Sequence, residues 1–146
     1  MTIAQCTPND LDEWVALRVA LWPDYAADEL REGAAAMLGT SDMLVLIARG
    51  PDGEAAGFAE ASIRRDYVNG CETSPVAFLE GIYVVPAHRK HGIAQRLSEA
   101  VADWGRALGC TEFASDALLD NAASHAFHAA ISFEETERVV YFRKAL

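Results

Sequence analysis

The sequence predicts an α/β domain spanning residues 1–146, with a mixed central sheet flanked by helices. Three observations carry this expectation. Val76–Val85 is an almost unbroken apolar run with one charge, Glu80, which is the pattern of a buried strand. Gly92–Leu108 puts Ile93, Leu97, Ala100, Val101, Trp104 and Leu108 on one helical stripe, with Gly109 as its stop. Finally, 146 residues with 51% hydrophobic content suffice for one core and exclude a disordered chain.

The elements follow in order. Thr7-Pro8-Asn9-Asp10 supplies a capping hydroxyl, a proline at the first helical position and an acid at the third. The helix it opens carries Leu11, Trp14, Val15 and Arg18 on one face, and Pro23 closes the segment. A second helix runs from about Ala26 to Leu38 and ends at Gly39. Met43–Arg49 and Ala55–Arg64 read as strands joined through the turn Gly50-Pro51-Asp52-Gly53, a hairpin. Residues 66–75 form a loop broken by Asn69-Gly70 and Ser74-Pro75. After the strong strand and helix come a short strand at Thr111–Asp116, a helix at Asn121–Ile131, and a last strand or hairpin at Phe133–Lys144. The parallel strands around the long helix require a right-handed crossover.

Charge narrows the function. Twelve Lys and Arg against 22 Asp and Glu give a net charge of −10, which opposes nucleic acid and anionic membranes alike. Such a field attracts a cationic small molecule. The three cysteines, Cys6, Cys71 and Cys110, lack the spacing of a metal site and read as reduced thiols of a cytoplasmic protein. No apolar run reaches the roughly 20 residues that span a bilayer, and the N-terminus carries no secretion signal. His88, His91 and His125 do not fall at metal-ligand spacing, so no metal is expected.

The chemistry lies between the strong strand and the strong helix, in Arg89-Lys90-His91-Gly92-Ile93-Ala94. Small residues at 92 and 94 let the backbone approach a ligand, and the free N–H groups from Lys90 to Gln95 at a helix start form an anion site. Neither the Walker A string nor the Gly-x-Gly-x-x-Gly dinucleotide fingerprint is present. What is present, Arg-x-x-Gly-x-Ala after an apolar strand, resembles the acetyl-CoA loop of the GNAT acetyltransferase superfamily. Trp22-Pro23, Phe78–Val84, Ser115-Asp116 and Phe133-Glu134-Glu135-Thr136-Glu137-Arg138 further resemble the bacterial aminoglycoside 6'-N-acetyltransferases, and the likeness extends from Trp14 to Lys144.

The resemblance implies a GNAT fold with acetyl-CoA in the splay between two parallel strands, and transfer of the acetyl group to the 6'-amine of an aminoglycoside, giving resistance. It assigns the cofactor to the backbone of Ile82, Tyr83 and Val84, to Lys90, His91, Gly92, Ile93, Ala94 and Gln95, and to Asn121, which can also cap a helix. It implies a homodimer. Resemblance and placement together assign substrate to Glu80, Asp116 and Glu137, with Glu72 and Asp120 in reserve. Asp116 is the first candidate for the base and Glu80 its rival. Trp22 and Tyr67 offer flat walls for sugar rings or cations, or else pack locally. His128 stands where many GNAT enzymes carry a tyrosine acid, and here reads as packing. Ser132 replaces the usual glycine before Phe133, which strains it if that residue has positive φ. Two alternatives stay open: another small polycationic amine or a peptide N-terminus as acceptor, or a non-catalytic acyl-CoA-binding module.

Overall fold

Five strands form one sheet in the order of the chain: β1 (Thr2–Gln5), β2 (Met43–Arg49), β3 (Ala55–Arg64), β4 (Val76–Val84) and β5 (Phe113–Ser115). The first four pair antiparallel, and β4 pairs β5 in parallel. The helices are α1 (Leu11–Leu21), α2 (Ala27–Met37), α3 (Ile93–Ala107) and α4 (Ala122–Ala130). The computed structural model describes residues 1–146.

The sheet is buried on both faces, which explains why its strands read as continuous apolar runs rather than alternating ones. On one face α1 and α2 bring Trp14, Val15, Leu17 and Ala34 onto Val45, Ile47 and Phe58. On the other, α3 lays Ile93, Leu97 and Val101 against Leu44, Leu46 and Leu79. Gly105 brings α3 close to the sheet, since a Cβ there would lie 2.7 Å from that of Ala77. Before α1 the Thr7–Asp10 box forms as expected: the Asp10 carboxylate accepts from the Thr7 N–H and hydroxyl, at 2.8 and 2.7 Å.

Two expectations are corrected. The sequence pattern missed β1, because this edge strand buries only Ile3 in part and is held by backbone pairing to β2. The expected last strand at Phe133–Lys144 does not form. Beyond Phe133, which packs on Phe113 at 4.9 Å, residues 134–146 are exposed and carry no regular structure. A strand needs a neighbour, and this arm pairs with no strand of the chain's own sheet; Thr136 rests on Gly70 of the loop before β4.

Candidate active site

β4 and β5 are in register only from Ala77↔Phe113 to Leu79↔Ser115. Beyond that level β4 continues through Glu80, Gly81, Ile82, Tyr83 and Val84, while β5 ends at Ser115. The apex of this splay therefore places Asp116 next to the level of Glu80. A strand edge with free backbone groups lies open beyond it, as an extended ligand arm requires.

The far end of β4 leads into the anion loop. Lys90 and Gly92 both take left-handed backbone, at φ 63° and 77°. The Gly92 conformation turns the chain into α3, whose first N–H groups have no intrahelical acceptor and so face outward at the positive end of the helix. A Cβ at Gly92 would meet nothing within 4 Å; the conformation rather than the space favours glycine. Lys90, His91 and Gln95 are exposed, Ala94 is half-buried, and Ile93 is buried in the core. Backbone geometry thus dominates the loop. Arg89 folds back instead of facing an anion: its Nε donates to the Val84 carbonyl at 2.8 Å, and its guanidinium lies 5.5 Å from the Tyr83 ring centre.

The carboxylates are not equivalent. Glu80 sits at a register shift between β3 and β4. It accepts from Ser62 Oγ at 2.5 Å and from Arg64 through Nη2 at 2.9 and 3.0 Å, so it already holds a cation. Asp116 is exposed. Glu137 lies in the exposed arm next to Thr136, beside the loop that carries Tyr67, itself 76% exposed. Glu72 and Asp120 are exposed as well. Trp22 reaches β4 at Gly81, the neighbour of Glu80, and Asp116 follows the last residue of β5 that is in register with β4, while Tyr67 and Glu137 stand on exposed segments.

Asn121 caps α4, its Oδ1 accepting from the Ser124 N–H at 3.1 Å. The His128 ring is fixed on every side. Nδ1 lies 2.7 Å from the Ser124 carbonyl, Nε2 lies 2.8 Å from Ser115 Oγ, and Phe127 and Phe133 contact it edge-on at 5.5 and 5.4 Å. A carbonyl only accepts, so Nδ1 donates to that of Ser124, while Ser115 Oγ, in contact with Nε2, donates to the Leu79 carbonyl of β4 at 3.2 Å. His128 ties α4 to β5, in keeping with the packing reading.

Sequence reasoning passed over Arg18 and Glu60 as a pair. Glu60 interrupts β3 as Glu80 interrupts β4 and is 2% exposed; its carboxyl is pushed up by burial, against the pull of Arg18 and the Trp14 indole. The signal was one acid in an apolar strand and one Arg on the apolar face of α1. No thiol is poised as a nucleophile: burial drives Cys6 up to about 11 and raises Cys71 and Cys110.

A parallel pair that splays beside a backbone anion loop at a helix start is the architecture of an acetyl-CoA-dependent transferase. Residues 11–133 match the acetyltransferase (GNAT) family, and the chain belongs to it. Among curated proteins it is 49% identical to the aminoglycoside N(6')-acetyltransferase type 1 of Acinetobacter baumannii over 99% of this chain and 98% of that one. The Serratia marcescens enzyme of the same name is 47% identical, over 99% of each chain. Among solved structures, the apo aminoglycoside antibiotic 6'-N-acetyltransferase of Acinetobacter haemolyticus superposes with a TM-score of 0.97 at 46% identity, covering 100% of this chain and 99% of that one. AAC(6')-Iy in complex with the bisubstrate analog CoA-S-monomethyl-acetylneamine gives 0.93 at 46% identity, covering 99% and 98%.

Proposed function

We propose that this protein transfers the acetyl group of acetyl-CoA to the 6'-amine of an aminoglycoside, with resistance as the outcome. The carrying observation is Asp116, exposed at the apex of the splay and free of the cation that occupies Glu80. Full-length likeness to 6'-N-acetyltransferases supports the substrate class. Acetyl-CoA lies along Ile82, Tyr83 and Val84, with its pyrophosphate on the N–H groups from Lys90 to Gln95 and Asn121 beside it. Trp22, Tyr67, Glu80 and Glu137 face the aminoglycoside.

The substrate amine arrives as an ammonium and has no lone pair until it loses a proton. Asp116 accepts that proton, directly or through one water. The amine nitrogen then attacks the thioester carbon, and a backbone N–H of β4 stabilises the developing oxyanion. The C–S bond breaks as the carbonyl re-forms, and the nitrogen gives up its second proton, which the departing sulfur takes to leave as the CoA thiol. With a reference thiol pKa near 8.5, the departing CoA thiolate needs little help from an acid.

Asp116→Asn tests the assignment. Loss of a general base lowers kcat/KM about 10²–10⁴-fold while acetyl-CoA affinity stays unchanged. A raised KM with intact kcat makes Asp116 an anchor only, and a normal Asp116→Asn beside an inactive Glu80→Gln transfers the role to Glu80. Thiol release with kanamycin, tobramycin, spermidine and a short peptide, followed by NMR of the product, separates the acceptors and locates the acetylated nitrogen.

We also infer a cytoplasmic homodimer. Its support is the arm after Phe133, where Val140, Tyr141 and Phe142 stand in an extended segment and Phe142 is 92% exposed. β5 leaves one sheet edge free, and a second copy satisfies both. Light scattering should give twice the chain mass, and Tyr141→Ser with Phe142→Ser should halve it.

A further inference from the structure

We propose that Arg18, locked by Glu60, is a positioning residue that fixes the pose of the Trp22 indole for the aminoglycoside, with Gly81 as the gap that admits the ring. The inference rests on the reading of Trp22 as a substrate wall.

Arg18 and Glu60 are 9% and 2% exposed, so both are removed from water. Burying an ion pair is weak evidence of stabilisation, because well-packed apolar replacements commonly do as well. Its placement is more informative. Arg18 Nε lies 2.7 Å from Glu60 Oε1 and Nη2 lies 3.3 Å from Oε2. Nη1 donates to the Leu30 carbonyl of α2, and Trp14 Nε1 donates to the same Glu60 carboxylate at 2.8 Å. Gly33 leaves the space for this guanidinium, since a Cβ there would lie 3.2 Å from Nη1. The charged plane is thus held from α1, α2 and β3 at once.

Its free surface is occupied by aromatics. The guanidinium carbon stands 5.5 Å from the Trp14 ring centre and 5.2 Å from that of Trp22. Trp22 follows the last turn of α1, where its N–H donates to the Arg18 carbonyl at 2.8 Å, so one residue holds both its backbone and its ring. Two further contacts complete the seat. Phe58 meets the indole edge-on at 6.3 Å. At Gly81, directly across from Glu60 in the sheet register, a Cβ would fall 2.7 and 2.8 Å from Trp22 Cη2 and Cζ2. Gly81 adjoins Glu80 and precedes the cofactor strand. A shift of this ring therefore changes the wall next to the reacting groups without touching the anion loop.

The experiment compares wild type with Trp22→Leu, Gly81→Ala and the double variant Arg18→Met/Glu60→Gln, which leaves no orphan charge buried. KM and kcat for kanamycin are read beside acetyl-CoA Kd by calorimetry and Tm by circular dichroism. Trp22→Leu, Gly81→Ala and the double variant should each raise the kanamycin KM about tenfold, with kcat within twofold and acetyl-CoA Kd unchanged. A purely structural pair would lower Tm and leave the KM of the folded protein alone; that result overturns the proposal. If Trp22→Leu raises KM but Gly81→Ala and the double variant keep it at the wild-type value, positioning is refuted while the wall survives. An unchanged KM in Trp22→Leu sinks the wall itself and the proposal with it.

Discussion

Ser132→Gly should stabilise the protein. Ser132 has φ 71° and occupies the position after the last residue of the α4 cap. Its N–H donates to the Ala129 carbonyl at 3.1 Å, and the Phe133 N–H donates to that of His128 at 2.9 Å. This bond pair is the Schellman ending, and the accompanying apolar contact is made by Phe133 on His128. Both hydrogen bonds are backbone bonds and survive the substitution. Left-handed backbone costs a non-glycine residue about 1–2 kcal/mol. Glycine gives back roughly 0.5–1 kcal/mol through its freer unfolded chain, which leaves a net gain of about 0.5–1 kcal/mol. For a chain of this length that corresponds to a Tm rise of about 1–4 °C. Thermal melting at fixed protein concentration reads it, with a matching rise in the guanidinium midpoint at constant m-value. Ser132→Val should move the midpoint the opposite way. An unchanged or lowered Tm in Ser132→Gly would mean that the strain at Ser132 does not exceed the roughly 0.5–1 kcal/mol that glycine gives back, which would refute the reasoning.

Gly92→Val puts a β-branched side chain at φ 77°, at a cost of about 1–3 kcal/mol. Because a Cβ there meets open space, the fold should persist while the free loop relaxes out of the left-handed conformation; binding must then restore it, and the acetyl-CoA Kd should rise roughly 5–150-fold. An unchanged Kd by calorimetry removes the pyrophosphate from this loop. The aminoglycoside KM should climb between low and physiological salt, where the screening length is about 8 Å, and the acetyl-CoA Kd should not follow in parallel. Equal salt slopes would contradict capture by acidic groups. Asp10 is held below the usual carboxylate range by Thr7 first and then Arg49, so its contribution is present above about pH 3.9 and is lost as pH falls through its lowered value. Asp10→Asn should therefore destabilise the protein by about 1 kcal/mol near neutrality and match wild type in acid; a gap that persists in acid unfolding curves would contradict this.

Local rules carried much of this site. Gly92 and Gly109 punctuate α3, and its apolar stripe leaves one side to pack on β4, so the helix could be placed from spacing, whereas the role given to the loop before it came from its resemblance to the GNAT family. Asn121 was legible as a cap for the same reason. Pairings across the chain were not. Arg18 meets Glu60 through folding over 42 residues, and Arg64 reaches Glu80 across two strands; each acid looked alone because its partner is distant in sequence. β1 was invisible since its stabilisation comes from main-chain bonds that side-chain periodicity does not record. The arm after Phe133 reads as a strand because its side chains favour one, yet propensity names no neighbour.

The state of the three thiols has a practical bearing on how such a protein is measured. Thiolate, not thiol, attacks a disulfide reagent. Cys6 is buried and driven up to about 11, Cys110 is buried, and Cys71 is raised by burial and the adjacent Glu112. Cys6 and Cys110 are shut from such a reagent by the fold, which leaves the half-buried Cys71 as the thiol the folded protein can offer. A colorimetric readout of liberated CoA with an aromatic disulfide can therefore run continuously over a background of at most one equivalent from the folded protein. Colour from the polypeptide beyond that equivalent would then report unfolding, so a single cuvette would carry both turnover and a built-in warning of denaturation.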